Sequence, residues 1–134
     1  MKKVLALLFA VTIAGMVSCS KSPEAEAKAL MTDMTKVTES AADKIEKSAN
    51  AKEAGDALVA YAQSMKQLAE RGKDLEKKFP DFKPEQNDKF KAEQDAMMKS
   101  MEKFTAAMTG VMKKYPGAKE IMDATVKMSE IMRN

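Results

Sequence analysis

The hydrophobic residues of this chain follow two different patterns. Residues 4–17 form an unbroken run without a charged side chain, directly after Lys2 and Lys3. From Lys21 onward the large apolar residues instead recur every three or four positions among charged ones. That spacing keeps apolar side chains on one face of an α-helix, whereas a half-buried strand requires alternation of apolar and polar residues. The pattern therefore predicts an apolar leader followed by an all-α domain over residues 23–134.

Four helices are predicted from this spacing and from the residues that start and stop helices. Helix 1 is expected over 23–49, because Ser22 is a good N-cap residue and precedes a proline at the first helical position. Helix 2 is expected over 51–79, because Asn50 and Glu53 have the spacing of a capping box.

The other two helices are separated by a proline–glycine turn. Pro84 fits the first position of helix 3, and Tyr115-Pro116-Gly117 ends it, before a shorter helix 4. On helices 2 and 3 the apolar residues step by alternating three and four positions, as in coiled coils. The predicted apolar stripes of the four helices are Ala27, Leu30, Met34, Val37, Ala41 and Ile45; Leu58, Tyr61, Met65, Leu68, Gly72, Leu75 and Phe79; Phe90, Gln94, Met97, Met101, Phe104, Met108, Val111 and Tyr115; and Ile121, Thr125, Met128 and Met132.

Three long helices of about 40–48 Å and a short one predict an elongated antiparallel helical bundle. The alternative is a longer coiled coil that completes its core only by forming a homo-oligomer. Gly72 lies within the stripe of helix 2. This position predicts the close approach of a neighbouring helix, because glycine otherwise disfavours a helix interior.

The composition excludes several classes of function. The chain has no histidine, which excludes His-based acid–base catalysis, His triads and His metal ligation. Its single cysteine cannot form an intramolecular disulfide. The sequence also lacks a glycine-rich phosphate loop and a nucleophile elbow. We therefore expect no catalytic residue, no metal site, no cofactor and no enzymatic activity.

The charge balance argues against nucleic-acid binding. The whole chain has 23 Lys and Arg against 20 Asp and Glu, a net charge of +3. Removing Lys2 and Lys3 leaves 21 basic residues against 20 acidic ones, a net charge of +1. A domain so balanced lacks the positive field that non-specific binding to nucleic acid requires.

The leader has the features of a bacterial export signal. As a helix, its 14 apolar residues would cover about 21 Å, which is short of the roughly 30 Å hydrocarbon core of a bilayer. Met16-Val17-Ser18-Cys19 ends the run, with the small Ser18 directly before the only cysteine. This arrangement resembles the lipobox of bacterial lipoproteins. It is similar to the relaxed form found in spirochaetes, because Met16 stands where leucine is usual.

The resemblance to bacterial lipoproteins implies how the chain is processed and where it resides. In that family the signal peptide, here residues 1–18, is cleaved between Ser18 and Cys19, and lipid, including palmitate, is attached to the cysteine. Residues 19–22 would then form a short lipidated tether. Ser20 resembles a sorting signal for the outer rather than the inner membrane, with the domain in the periplasm or on the cell surface. The alternative is an ordinary secretory signal cut after Ser20, which would leave a free periplasmic protein.

Methionine is the most unusual feature of the composition, with 13 residues, 11 of them after the leader. Many stand three or four residues apart and extend the predicted stripes, namely Met31, Met34, Met97, Met98, Met101, Met108, Met112, Met128 and Met132. We interpret them as core residues, because methionine adapts to irregular gaps. The alternatives are a methionine-rich groove for a partner and a Cu(I) site, since thioethers are soft ligands.

These features predict a non-enzymatic lipoprotein of the cell envelope that acts as a structural or protein-interaction module. The expected partners are the membrane, through the lipid on Cys19, and a protein that the sequence does not identify. The alternative function is a periplasmic chaperone, or a carrier of a small ligand or metal, that uses a methionine-lined apolar groove.

Overall fold

The computed structural model describes residues 22–83 and 88–133. Within these two stretches it contains no β-strand and four α-helices, α1 (Pro23–Glu46), α2 (Ala51–Lys78), α3 (Lys91–Lys114) and α4 (Lys119–Arg133). A short 3₁₀ turn, Asp88–Phe90, precedes α3. The predicted all-α class is therefore confirmed. The predicted signal peptide with Ser18, the lipidation residue Cys19 and Pro84 lie outside the described residues. The prediction that helix 3 begins at Pro84 is wrong, because residues 88–90 form the 3₁₀ turn and α3 begins only at Lys91.

The ends of α1 and α2 are determined mainly by local hydrogen bonds. The Ser22 hydroxyl accepts a hydrogen bond from the backbone N–H of Ala25 at 3.2 Å, as an N-cap residue does. α1 ends at Glu46 rather than at residue 49, because the Ser48 hydroxyl donates to the carbonyl of Ile45 at 2.7 Å and closes the last turn. α2 begins at Ala51, so its predicted N-terminus is confirmed.

The capping box at the start of α2 forms with one difference from the predicted pattern. The Asn50 side-chain oxygen accepts from the backbone N–H of Glu53 at 2.9 Å. The Glu53 carboxylate reaches back to the backbone N–H of Ala49 at 2.9 Å, rather than to that of Asn50. Both hydrogen bonds satisfy backbone donors that an uncapped turn would leave unpaired.

Each helix packs against a neighbour, in the order α3, α1, α2 and α4. α1 packs against both α2 and α3, and α2 also packs against α4. By contrast, α3 and α4 have almost no close backbone contact with each other. An ion pair of 2.8 Å between Arg71 and Asp33 joins α2 to α1, and one of 3.4 Å between Lys28 and Glu93 joins α1 to α3.

The larger core cluster draws residues from all four helices. It consists of Ala41, Ala42, Ile45, Ala54, Leu58, Phe104, Ala107, Val111, Ile121 and Ala124. Half of these residues are alanines, which allow helix backbones to approach closely. A second, smaller cluster contains Ala27, Leu75 and Phe90. The Phe90 ring stands edge-on to that of Phe82 at 5.9 Å between centroids.

Of the glycines on α2, Gly55 is the one at which a neighbouring helix approaches too closely for a Cβ atom, not Gly72 as predicted. A Cβ atom added to Gly55 would lie 2.9 Å from the backbone carbonyl oxygen of Glu120 and 3.3 Å from the Cβ of Ala124. A Cβ added to Gly72 would meet only the Leu30 side chain, at an ordinary contact distance of 3.6 Å. α2 therefore requires glycine where it meets α4, and not where it meets α1.

A salt bridge between Asp43 and Lys103 adds a polar contact between α1 and α3. The Lys103 ammonium hydrogen bonds to the Asp43 carboxylate and lowers its pKa, and the same hydrogen bond raises the pKa of Lys103. Both side chains are nearly half exposed, so solvent screens much of this attraction. The pair therefore orients the two helices more than it stabilises the fold.

Candidate interaction surface

The methionines of the described residues are not in the core. None of them is buried, and five are exposed by 44% to 63%. The exposed methionines are Met98, Met101, Met112, Met122 and Met132. The half-buried ones are Met31, Met34, Met65, Met97, Met108 and Met128. The prediction that the methionine stripes are core residues is therefore wrong for four exposed members, Met98, Met101, Met112 and Met132, while Met122 was not among the predicted stripe residues.

On α3 this difference arises because small residues face α1. Phe104 and Val111 are buried as predicted, but Ser100 and Ala107, which lie outside the predicted stripe, are buried as well. The buried face of α3 is therefore centred away from Met101, and Met101 lies at the flank of that face. The Ser100 hydroxyl donates to the backbone carbonyl of Met97 at 2.7 Å, so it can be buried without an unsatisfied polar group.

At the flank of α3, Met101 lies beside α2. The Tyr61 hydroxyl donates a weak hydrogen bond to the Met101 sulfur at 3.9 Å. The Tyr61 ring packs on the Phe104 ring, with the centroids 4.5 Å apart. Tyr61 therefore lies between the buried aromatic contact and the exposed thioether, and it packs against the larger core cluster, in line with its place in the predicted stripe.

The second group of exposed apolar residues belongs to α4. Ile121 and Ala124 are buried in the larger core cluster, whereas Met122 and Val126 point away from it and are more than half exposed. Met132 is exposed one turn beyond Met128, which is half-buried against the same core cluster. Because the helix is only 15 residues long, these side chains occupy most of its length.

We define the methionine surface as the exposed large apolar residues of α3 and α4, namely Met98, Met101, Met112, Met122, Val126 and Met132. Its two parts border the same core, because Met108 of α3 and Met128 of α4 both pack against the larger cluster. On α3 it continues over an uncharged stretch, residues 104–112, whose exposed members include threonine, alanine and glycine. Within that stretch of α3 the surface therefore carries no charge, whereas charged residues stand between Met98 and Phe104 and along α4.

Outside the methionine surface, the acidic side chains of the described residues are the other candidates for a binding site. The described residues contain no cluster of three or more Asp, Glu, His or Cys side chains that could hold a metal ion. One Glu93 carboxylate oxygen is buried without a hydrogen bond, but the other oxygen of the same side chain pairs with Lys28.

None of the described helices combines the length and the apolar character that a membrane-spanning helix requires.

Ser18 and Cys19, the processing and lipidation residues that the sequence predicts, lie outside the described residues. The methionine surface was not predicted from the sequence. A usable signal was present in the adjacent pairs Met97-Met98 and Ile121-Met122, because neighbours on a helix point about 100° apart and cannot both face the core centre.

The chain matches no protein-family model, no curated protein and no solved structure.

Proposed function

We propose that the protein is a bacterial envelope lipoprotein, held to a membrane by lipid on Cys19, whose helical domain is a non-enzymatic protein-interaction module. The leader, the small Ser18 before the only cysteine and the abrupt change to a polar sequence support the lipid anchor. α1 begins at Pro23, so the tether would be short and the domain would sit close to the membrane.

The proposed shape is an elongated antiparallel bundle of three long helices, α1 to α3, and the short α4. The long helices have 24, 28 and 24 residues, or about 36–42 Å, and α4 has 15 residues. Only residues 47–50 connect α1 to α2, and only residues 115–118 connect α3 to α4. Such short connections favour antiparallel consecutive helices.

The observation that carries the interaction function is the methionine surface. Scattered exposed apolar residues are ordinary, but the six described here form one group on α3 and one on α4, while the outer faces of α1 and α2 carry no exposed large apolar residue among those described. Concentrated apolar surface marks a site of contact with another molecule. Methionine suits such a site because its unbranched side chain adapts to different partners.

The alternative, a chaperone or carrier with a methionine-lined groove, has less support. A surface depression between α1 and α2 is lined largely by charged residues, among them Lys36, Glu39, Asp43 and Asp56, and by no methionine. A second depression, on α3, is open and includes only Met101 of the methionine surface. Neither encloses an apolar ligand, so a surface that binds a protein accounts better for the exposed thioethers.

Lipidation is tested by labelling cells with radioactive palmitate. We expect the wild-type protein to incorporate label and to fractionate with membranes. The Cys19→Ala variant should lose the label and the membrane association, because no thiol remains for the lipid. Label that persists in the Cys19→Ala variant would refute the anchor, and wild-type protein without label would favour the free periplasmic alternative.

The interaction surface is tested by replacing its five methionines together. A variant with glutamine at Met98, Met101, Met112, Met122 and Met132 should keep its helical circular dichroism spectrum, since exposed substitutions change stability by about 0.5 kcal/mol or less each. It should lose the partners that the wild-type lipoprotein captures from envelope extract after crosslinking.

The matched control carries leucine at the same five positions. Leucine keeps the surface apolar but is stiffer than methionine, so this variant should retain partners, in a narrower range. Equal capture by the wild-type protein and the glutamine variant would show that the methionine surface is not the interface.

A further inference from the structure

The chain has few side chains that oxidants attack, apart from methionine. It contains no tryptophan, no histidine, two tyrosines and one cysteine, Cys19, which the proposed lipid would block. Sulfur is the part of a protein that peroxides and hypochlorous acid oxidise most readily, through the thiolate of cysteine or the thioether of methionine. Oxidation of this protein should therefore be concentrated on its methionines.

The methionines that oxidants reach lie outside the buried core, so their oxidation need not disturb the fold. The buried apolar residues of the described chain are alanine, isoleucine, leucine, phenylalanine and valine, with no methionine among them. Five thioethers lie on the methionine surface, where an oxidant dissolved in water reaches them. Conversion of a core methionine to the polar sulfoxide disrupts packing, but an exposed sulfoxide remains hydrated and should leave the core intact.

We propose that the methionine surface is an oxidation site, at which the protein consumes two-electron oxidants such as hydrogen peroxide without unfolding. A lone pair of the thioether sulfur attacks one peroxide oxygen, and the O–O bond breaks. The sulfur is oxidised to the sulfoxide, the peroxide is reduced, and the departing hydroxide takes up the proton of the transferred oxygen to leave one water molecule. Each exposed methionine consumes one equivalent. The proposal does not rest on a protein partner, and it uses the lipid anchor only to remove Cys19 from the reaction.

Oxidation is expected in two stages, because six further methionines are half-buried. Met108 and Met128 pack against the larger core cluster, and Met31 packs against the smaller one. Their sulfur atoms are less accessible, so they should react after the exposed group. Sulfoxides at these positions would place a polar oxygen against the core, so stability should fall only in this second stage.

Three pairs of methionines provide an internal comparison within single tryptic peptides. Residues 92–99 contain Met97 and Met98, residues 104–113 contain Met108 and Met112, and residues 128–133 contain Met128 and Met132. In each peptide one methionine is half-buried and the other is exposed. The two share the same digestion and detection, so their ratio reports accessibility in the folded protein.

The experiment is a titration of the full chain with hydrogen peroxide, followed by mass spectrometry of the peptides and by thermal unfolding. We expect Met98, Met112 and Met132 to be oxidised several-fold faster than their half-buried partners. The melting temperature should stay constant during this stage and fall as Met108 and Met128 react. Because the peptides resolve each residue, Met1 and Met16 do not enter the comparison.

A variant with leucine at the five exposed methionines serves as the control. It should keep the wild-type melting temperature but lose the fast stage of peroxide consumption and keep the slow one. Equal oxidation rates within the three pairs would overturn the proposal. So would a loss of fold during the first stage, because the site would then not be separate from the core.

Discussion

Replacing Phe104 with aspartate should lower the free energy of unfolding by about 4 kcal/mol or more. Phe104 is only 9% exposed, and its ring packs on that of Tyr61 in the larger core cluster. Removing a buried aromatic ring costs about 3–5 kcal/mol, and an unpaired carboxylate adds a desolvation penalty. Urea unfolding, followed by circular dichroism at the helix band, measures the change. Leu68→Asp on α2 should behave in the same way, because Leu68 is also buried.

The matched control for this substitution is Met101→Asp. Met101 is one turn before Phe104 on the same helix, but its side chain is 44% exposed. Its replacement should therefore change the free energy of unfolding by less than about 1 kcal/mol. The buried face of α3 would have to be centred on other residues if Met101→Asp caused a large loss of stability. The same would follow if Phe104→Asp left the free energy of unfolding unchanged.

Gly55→Ala should lower the free energy of unfolding by about 1–3 kcal/mol, although alanine is the better helix former. The added methyl group would lie 2.9 Å from the carbonyl oxygen of Glu120, which belongs to the backbone of α4 and cannot rotate away. α4 would have to shift away from α2, and the contacts of Ile121 and Ala124 with the core would loosen.

Gly110→Ala on α3 should have the opposite effect on the free energy of unfolding. A methyl group at Gly110 would meet no atom within 4 Å, so only helix propensity changes. This variant should be more stable than wild type by about 0.5–1 kcal/mol. Chemical denaturation of both variants under the same conditions compares them directly. Stabilisation by Gly55→Ala would mean that α2 and α4 are not packed as closely as described.

The failed prediction at Gly72 and the unrecognised role of Gly55 have the same cause. Both glycines lie within α2, and the apolar stripe that contains Gly72 gave no reason to choose Gly55. What distinguishes them is the atom opposite each one, a backbone carbonyl for Gly55 and the end of a leucine side chain for Gly72. That information belongs to another helix, so the sequence of α2 does not contain it.

The methionines illustrate the same limit for the candidate site. The spacing of Met97, Met101 and Met108 correctly places them on one side of α3, because helical periodicity is a property of the chain itself. Periodicity does not determine where the centre of the buried face lies within that side. Ser100 and Ala107 are buried with Phe104 and Val111, so the centre of the buried face lies on their side and Met101 stays at the flank.

The sequence by itself determined the all-α class, the starts of α1 and α2, and the turns that separate the helices. Caps, prolines and apolar spacing act within a few residues, so they can be recognised without a structure. The lipidation of Cys19 also depends on a local motif and stays a prediction from the sequence. Only the tertiary structure decided which apolar residues are buried and which form the methionine surface. Burial depends on how closely two helices approach, and here alanine, serine and glycine, rather than the large apolar residues, control that distance.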